Sequence, residues 1–351
     1  MRKLLMALAI LPLLAQAEEV VHVYNWEDYI DPQVISDFQK DTGIRVDYHT
    51  FSTSEEANAL LDGDTPIDVY APSHDELKRL IRENKLQKLN TQQLPNTSKL
   101  DPYISGILNS VDPGNHYAVP YLWGAVGLAI NVPKAQEAFG GPLPESWSVL
   151  FDPEQIKRLS KCGVNLLDDP IYVSSIMMNY QGNIPERSSP AQMEKIAKDL
   201  MSIRPYIRSI DNDAAIDGFR NGQLCVAMVY SVGDAINARK AGQPVSYVVP
   251  QEGTYVFVDT LAIPSKSRNA ELAHRFINYV MSARSLARIT EETSYPNANP
   301  DSMKLLSPEL QKENALYPNG ALRRRLFALV PPPAETRQTF EGLWQTFKQA
   351  H

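Results

Sequence analysis

Two stretches of this chain set carboxylates beside aromatic rings in a way that suits an organic cation. In Tyr24-Asn25-Trp26-Glu27-Asp28-Tyr29, rings and acidic side chains crowd into one hexapeptide. Ring faces attract ammonium groups, and carboxylates neutralise them. A solvated loop with two packing aromatics has the same sequence signature. In Tyr255-Val256-Phe257-Val258-Asp259-Thr260-Leu261-Ala262-Ile263-Pro264, a single acid sits inside an apolar run. Residues two apart on a strand share a face, so Phe257 and Asp259 can address one partner together. A carboxylate in that setting is costly unless paired, which makes Asp259 the strongest single candidate for function.

The elements that must position these residues follow from periodicity. Val20 to Tyr24 is β-branched and apolar enough for a buried strand, and Asp31-Pro32 reads as N-cap and first helical residue. The hexapeptide is therefore a strand-to-helix loop, which in an open α/β sheet faces the ligand crevice. Val34, Ile35 and Phe38 form a helical stripe closed by Gly43, and Ile44, Val46 and Tyr48 alternate as a strand. A second helix around Glu55 to Leu61 and a short strand from Ile67 to Ala71 continue the alternation. The pattern predicts a mainly parallel sheet with helices on both faces.

Further along, Pro72-Ser73-His74 falls at another strand end, with Ser73 placed as a helix N-cap and His74 expected at the surface. Asp168-Asp169-Pro170 is a helix-start signal. The apolar run Cys225 to Tyr230 leads into Ser231-Val232-Gly233-Asp234, where Asp234 reads equally as an N-cap and as a ligand carboxylate. Gly124 and Gly127, inside the apolar stretch Tyr117 to Val132, are candidates for hinge torsions.

Bulk properties narrow the function classes. A chain of 351 residues with 43% hydrophobic content can bury a substantial core and is expected to form two lobes. Residues 1–17 have a basic start, an apolar run too short to span a bilayer, and Ala15-Gln16-Ala17, the pattern of a cleaved secretory leader. Losing Arg2 and Lys3 with it takes the formal net charge from −7 to −9, so nucleic acid and anionic membrane are poor partners. Cys162 and Cys225 are the only cysteines, and an even count in an exported chain favours a disulfide over two free thiols. No phosphate loop, H-E-x-x-H helix or G-x-S-x-G elbow is present, and the six histidines lack metal-ligand spacing. Neither an enzyme nor a cofactor or metal site is expected.

The segments Asn25-Trp26 with Asp28-Tyr29, Phe257 with Asp259, and Ser294-Tyr295-Pro296-Asn297 occur in order along the chain. Together they resemble the periplasmic polyamine-binding proteins, the spermidine- and putrescine-binding components of ABC importers, from about Val20 to the C-terminus. The resemblance implies a two-lobed α/β periplasmic binding protein of type II-like connectivity, with each lobe a sheet flanked by helices. It divides the chain into lobe 1 (18–125 plus 258–304) and lobe 2 (126–257 plus 305–351). It implies a periplasmic monomer that captures a polyamine in the interlobe cleft and delivers it to a membrane permease.

By the same resemblance, Ser73 lines the pocket, Asp169 meets a ligand nitrogen, Tyr230 closes a strand end, and Tyr295 closes over the ligand. With Trp26, Glu27, Asp28, Tyr29, Tyr172, Asp234, Phe257 and Asp259, these form the expected ligand set. Two departures bear on the ligand. Glu27 stands where relatives more often have a small hydroxyl residue, and Tyr172 where they often have Glu, so negative charge shifts from the second lobe towards the first. A binding protein of the same fold for an opine, amino acid or sugar, and an extracytoplasmic cysteine-dependent enzyme, are the alternative readings.

Overall fold

Strand β1 (Val20–Trp26) pairs in parallel with β2 (Arg45–Phe51) on one side and β3 (Val69–Tyr70) on the other. This computed structural model describes residues 18–330 and 332–350, so the leader expected at 1–17 lies outside the described residues. Val21 and Val23 alternate inward from β1 onto Val34 and Phe38 of the helix Pro32–Thr42 and onto Phe276 and Ile277 of the helix Ala270–Val280. Gly43 ends the first of these helices in the left-handed region, at φ 73°, as its C-cap role requires.

The other strands are β4 (Ala118–Ala125), β5 (Gly127–Asn131), β6 (Val164–Leu166), β7 (Ser209–Ile210), β8 (Val226–Val229), β9 (Val245–Val248), β10 (Thr254–Ala262) and β11 (Leu326–Ala328). One sheet runs β11-β10-β3-β1-β2, with β4 also paired to β10; the other runs β7-β6-β8-β5-β9. Both are mixed rather than mainly parallel. The antiparallel pairs include β10 with β3 and β4, and β5 with β8 and β9. The periodicity that predicted parallel strands is sound for β1 to β3; what it misses is that β4, β5 and β10, which carry the chain between the lobes, run antiparallel to their neighbours except where β10 meets β11.

Those crossings are tight. β4 ends at Ala125 in the first sheet and β5 starts at Gly127 in the second, with only Val126 between them. The return lies between Val248 and Thr254. Pairing in the first sheet thus begins at Thr254, and β11, from the segment expected in lobe 2, also joins this sheet through β10. Gly124 and Gly127 do not have the positive φ of a torsional hinge. They are needed for space instead: a Cβ at either would stand 2.5 Å from a ring carbon, of Phe257 for Gly124 and of Tyr247 for Gly127.

In the second lobe, Cys162 and Cys225 are joined as a disulfide across 63 residues. A loop of that length contributes about 4 kcal/mol in the chain-entropy model. The C-terminal helix Ala334–Gln349 lays Phe340, Trp344 and Phe347 into the core of this lobe. Trp344 Nε1 donates to Asp168 Oδ1 at 2.8 Å and Lys348 Nζ to Asp168 Oδ2 at 2.6 Å, which steadies the start of the helix Pro170–Tyr180. Among the described residues no helix is long and apolar enough to cross a membrane.

Candidate functional site

Asp259 is the centre of the candidate site. It is buried in the middle of β10, where a bare carboxylate would be very costly, and two hydroxyls from other segments reach it. Tyr29 donates to Oδ2 at 2.8 Å, and Ser73 donates to Oδ1. Ser73 stands at the N-cap of the helix His74–Arg82 but makes no side-chain cap bond. Its hydroxyl goes to Asp259, so this helix gives up a cap worth about 1 kcal/mol. Burial pushes the Asp259 carboxyl up to about 7, against the opposing pull of the Ser73 and Tyr29 hydrogen bonds.

Asp169 forms a second anchor in the other lobe. It caps the helix Pro170–Tyr180 by accepting from the Tyr172 backbone N–H at 3.0 Å through Oδ1, and Tyr230 donates to Oδ2 at 3.0 Å. Burial raises its pKa. Each anchor is thus held by one phenol, and each keeps acceptor capacity, because an ionised carboxylate offers about four lone-pair sites.

A row of aromatic rings links the two anchors. Tyr29 tilts onto Tyr295 at 5.0 Å between centroids, Tyr295 meets Phe257 at 6.3 Å, Phe257 meets Tyr230 at 6.2 Å, and Tyr230 meets Tyr172 at 6.0 Å. The last three contacts are edge-on. Two backbone features aim the first two rings inward. Asp28 at φ 54° precedes Tyr29, and Ser294 at φ 62° precedes Tyr295, both non-glycine residues in the left-handed region.

The remaining expected residues are placed differently. Asp234 lies in the first turn of the helix Val232–Lys240, which Ser231 caps; burial raises it to about 6, and its charge reaches Tyr295. Trp26 is the last residue of β1 and packs edge-on against Phe51 at 4.6 Å, with its indole N–H buried and unpartnered. Glu27 and Asp28 are exposed and outside the hydrogen-bonded cluster around Asp259. His74, expected at the surface, is fully buried: its Nδ1 accepts from the Val258 N–H at 3.2 Å, and burial lowers its pKa to about 4.

Asp75 is an acid that the sequence reading did not single out. It follows Ser73 by two positions, and its charge adds to the upward shifts of Asp259, Asp169 and Tyr172. Burial raises Asp75 itself to about 6. In sequence it is an ordinary first-turn acid, which the helix dipole explains without any ligand. Among the described residues no group of three or more His, Cys, Asp or Glu side chains is arranged to hold a metal ion.

Two lobes joined by short crossings, with acidic anchors at the ends of an aromatic row, define a solute-binding protein. The chain belongs to the bacterial extracellular solute-binding protein family, whose profile matches residues 33–318. It is 34% identical to the putrescine-binding periplasmic protein SpuD of Pseudomonas aeruginosa, over 95% of this chain and 94% of that one. It is 33% identical to the putrescine-binding periplasmic protein PotF of Escherichia coli, over 90% and 88% of the two chains. Its structure is similar to that of the spermidine/putrescine ABC transporter substrate-binding protein PotD from Streptococcus pneumoniae, with a TM-score of 0.81 and 26% identity over 94% of this chain and 99% of that one.

Proposed function

We propose that this protein binds a polyamine of the putrescine or spermidine class in the periplasm and delivers it to the permease of an ABC transporter. The names of its relatives support this reading, and so does one observation of the chain itself: the buried Asp259 at the foot of the aromatic row. An ammonium group placed there regains for Asp259 the charge partner that burial denies it. A second ammonium pairs with Asp169, and the methylene chain between them lies along Tyr295, Phe257 and Tyr230. Asp234 adds negative potential beside Tyr295, Trp26 walls the entrance, and Glu27 and Asp28 attract cations from the rim.

Each cation–π contact in a desolvated cleft is worth roughly 0.5–2 kcal/mol, and a micromolar ligand needs about 8 kcal/mol net. A few rings and two paired charges are enough. The protein captures and releases its solute without making or breaking bonds. The lobes close over the ligand, and the closed face is what the permease meets.

Ligand choice is tested by thermal unfolding with a panel of diamines, triamines, amino acids, opines and sugars, because a ligand of the folded state raises the midpoint by mass action. Amines alone should raise it. A shift with a carboxylate-bearing or neutral solute, and none with amines, contradicts the reading.

A further inference from the structure

We propose that His74 is a positioning residue of the site: its imidazole Nδ1 stands in for a missing neighbour strand and fixes the direction in which β10 presents Asp259. This rests on the polyamine reading. Ala262 pairs with both Ala118 of β4 and Tyr70 of β3, and Val256 with both Ala125 of β4 and Ala328 of β11. A strand has two edges, so β4 runs along one edge of β10 while β3 and β11 share the other. Neither of these two pairs with residues 257–261, and that stretch of edge is left without a strand. On the β4 side the register shifts between Val258 and Thr260, so Asp259 has no ladder partner there either. Irregularities of this kind re-aim the side chain they carry, and the other edge must then set its direction.

Three consecutive residues close the gap. Pro72 O accepts from the Thr260 N–H at 2.9 Å and from Thr260 Oγ1 at 2.8 Å. Ser73 bridges Asp259 and donates to its Oδ1, and His74 Nδ1 accepts from the Val258 N–H at 3.2 Å. The Thr260 end of the Asp259 peptide is tied by two bonds and the Val258 end by one, so the tilt of Asp259 depends on the imidazole. By residue 74 the chain has entered the helix His74–Arg82, whose carbonyls point along its axis, and a side chain must supply the acceptor that a strand would have given. An acceptor at Nδ1 requires a neutral ring protonated on Nε2, and burial, which lowers the pKa to about 4, keeps His74 in that form at neutral pH. Nε2 is buried near the Leu329 carbonyl but outside hydrogen-bond geometry. An apolar side chain would fill the same space without that unmet N–H, so what the ring contributes is its Nδ1 lone pair.

Calorimetric titration of the mature chain with putrescine, as wild type, His74→Leu and His74→Asn, separates positioning from packing. Leucine fills the space and removes the acceptor; asparagine sets Oδ1 where Nδ1 stands and keeps it. His74→Leu should bind putrescine about tenfold more weakly and His74→Asn within about threefold of wild type, although asparagine is the poorer core residue. Wild-type affinity in His74→Leu, losses equal in the two variants, or a larger loss in His74→Asn overturn the proposal. If a variant does not fold, the wild type carries the test, because a hydrogen bond from N–H to nitrogen transmits a scalar coupling between the two nitrogens. Nitrogen NMR of labelled protein should show Val258 N coupled to His74 Nδ1 with and without putrescine. Amine binding without that coupling overturns the proposal alone. Wild-type protein that shows the coupling but binds no amine overturns the polyamine reading, and the proposal with it.

Discussion

Tyr29 and Asp259 lie 230 residues apart in the chain and meet through a 2.8 Å hydrogen bond from phenol to carboxylate. Tyr230 and Asp169 repeat the arrangement in the other lobe at 3.0 Å. A phenol stabilises a buried carboxylate without neutralising it. Each anchor is therefore kept in place yet still short of a positive charge, which is the condition a site for diffusible cations needs.

The raised carboxyl pKa values make stability and affinity depend on pH in opposite senses. Asp259 rises from 3.8 to about 7, and Asp234 and Asp75 to about 6. In the free protein the protonated forms contribute stability that is fully present below 3.8, the unfolded value, and lost as pH rises through the folded values. Ammonium binding needs the ionised forms. Affinity should therefore climb from about pH 5 to about pH 7, and binding near pH 6 should release protons. Calorimetry in buffers of different ionisation enthalpy measures that release; proton-neutral binding with flat affinity contradicts it.

Asp28 has two separable roles, one in its backbone and one in its charge. The strain of an αL aspartate is of order 1 kcal/mol. Asp28→Gly should keep the turn that aims Tyr29 inward and cost less than about 1 kcal/mol of amine affinity, as fits an exposed charge. Asp28→Ala should lower unfolding stability by about 1 kcal/mol. A large affinity loss in the glycine variant, read by titration, would make Asp28 a direct ligand group.

Gly124 holds the aromatic row in place by lacking a side chain. A Cβ there would stand 2.5 Å from the Phe257 ring and 3.0 Å from Ser231 Cβ. Gly124→Ala should push Phe257 out of line, costing about 1–3 kcal/mol of stability and about tenfold in amine affinity. Thermal unfolding and titration measure the two effects; wild-type affinity in this variant would show that ring position does not matter.

Part of the candidate site was legible because its chemistry breaks local rules. An acid in a β-branched run has no structural excuse, so Asp259 stood out, and the apolar alternation around it placed β10 within two residues of its ends. Asp169 was legible as a helix cap, and the cap bond to Tyr172 is there. Asp75 and His74 were not. A first-turn acid and a histidine after a serine both have ordinary surface explanations, and what overrides them is long-range: Val258 for His74, and the two anchors for Asp75. The pairing of β11 with β10 was equally out of reach, since three residues carry no periodicity.

The central claim is that Asp259 supplies the charge that holds the ligand. Calorimetric titration of wild type and Asp259→Asn with putrescine tests it directly, because asparagine keeps the shape while removing the charge, its one oxygen accepting from one of the Ser73 and Tyr29 hydroxyls and its NH2 donating to the oxygen of the other. Truncating one side of a desolvated charge pair costs about 2–5 kcal/mol, so the variant should bind at least about thirtyfold more weakly while unfolding at or above the wild-type temperature in the absence of ligand. Wild-type affinity in Asp259→Asn would contradict the account.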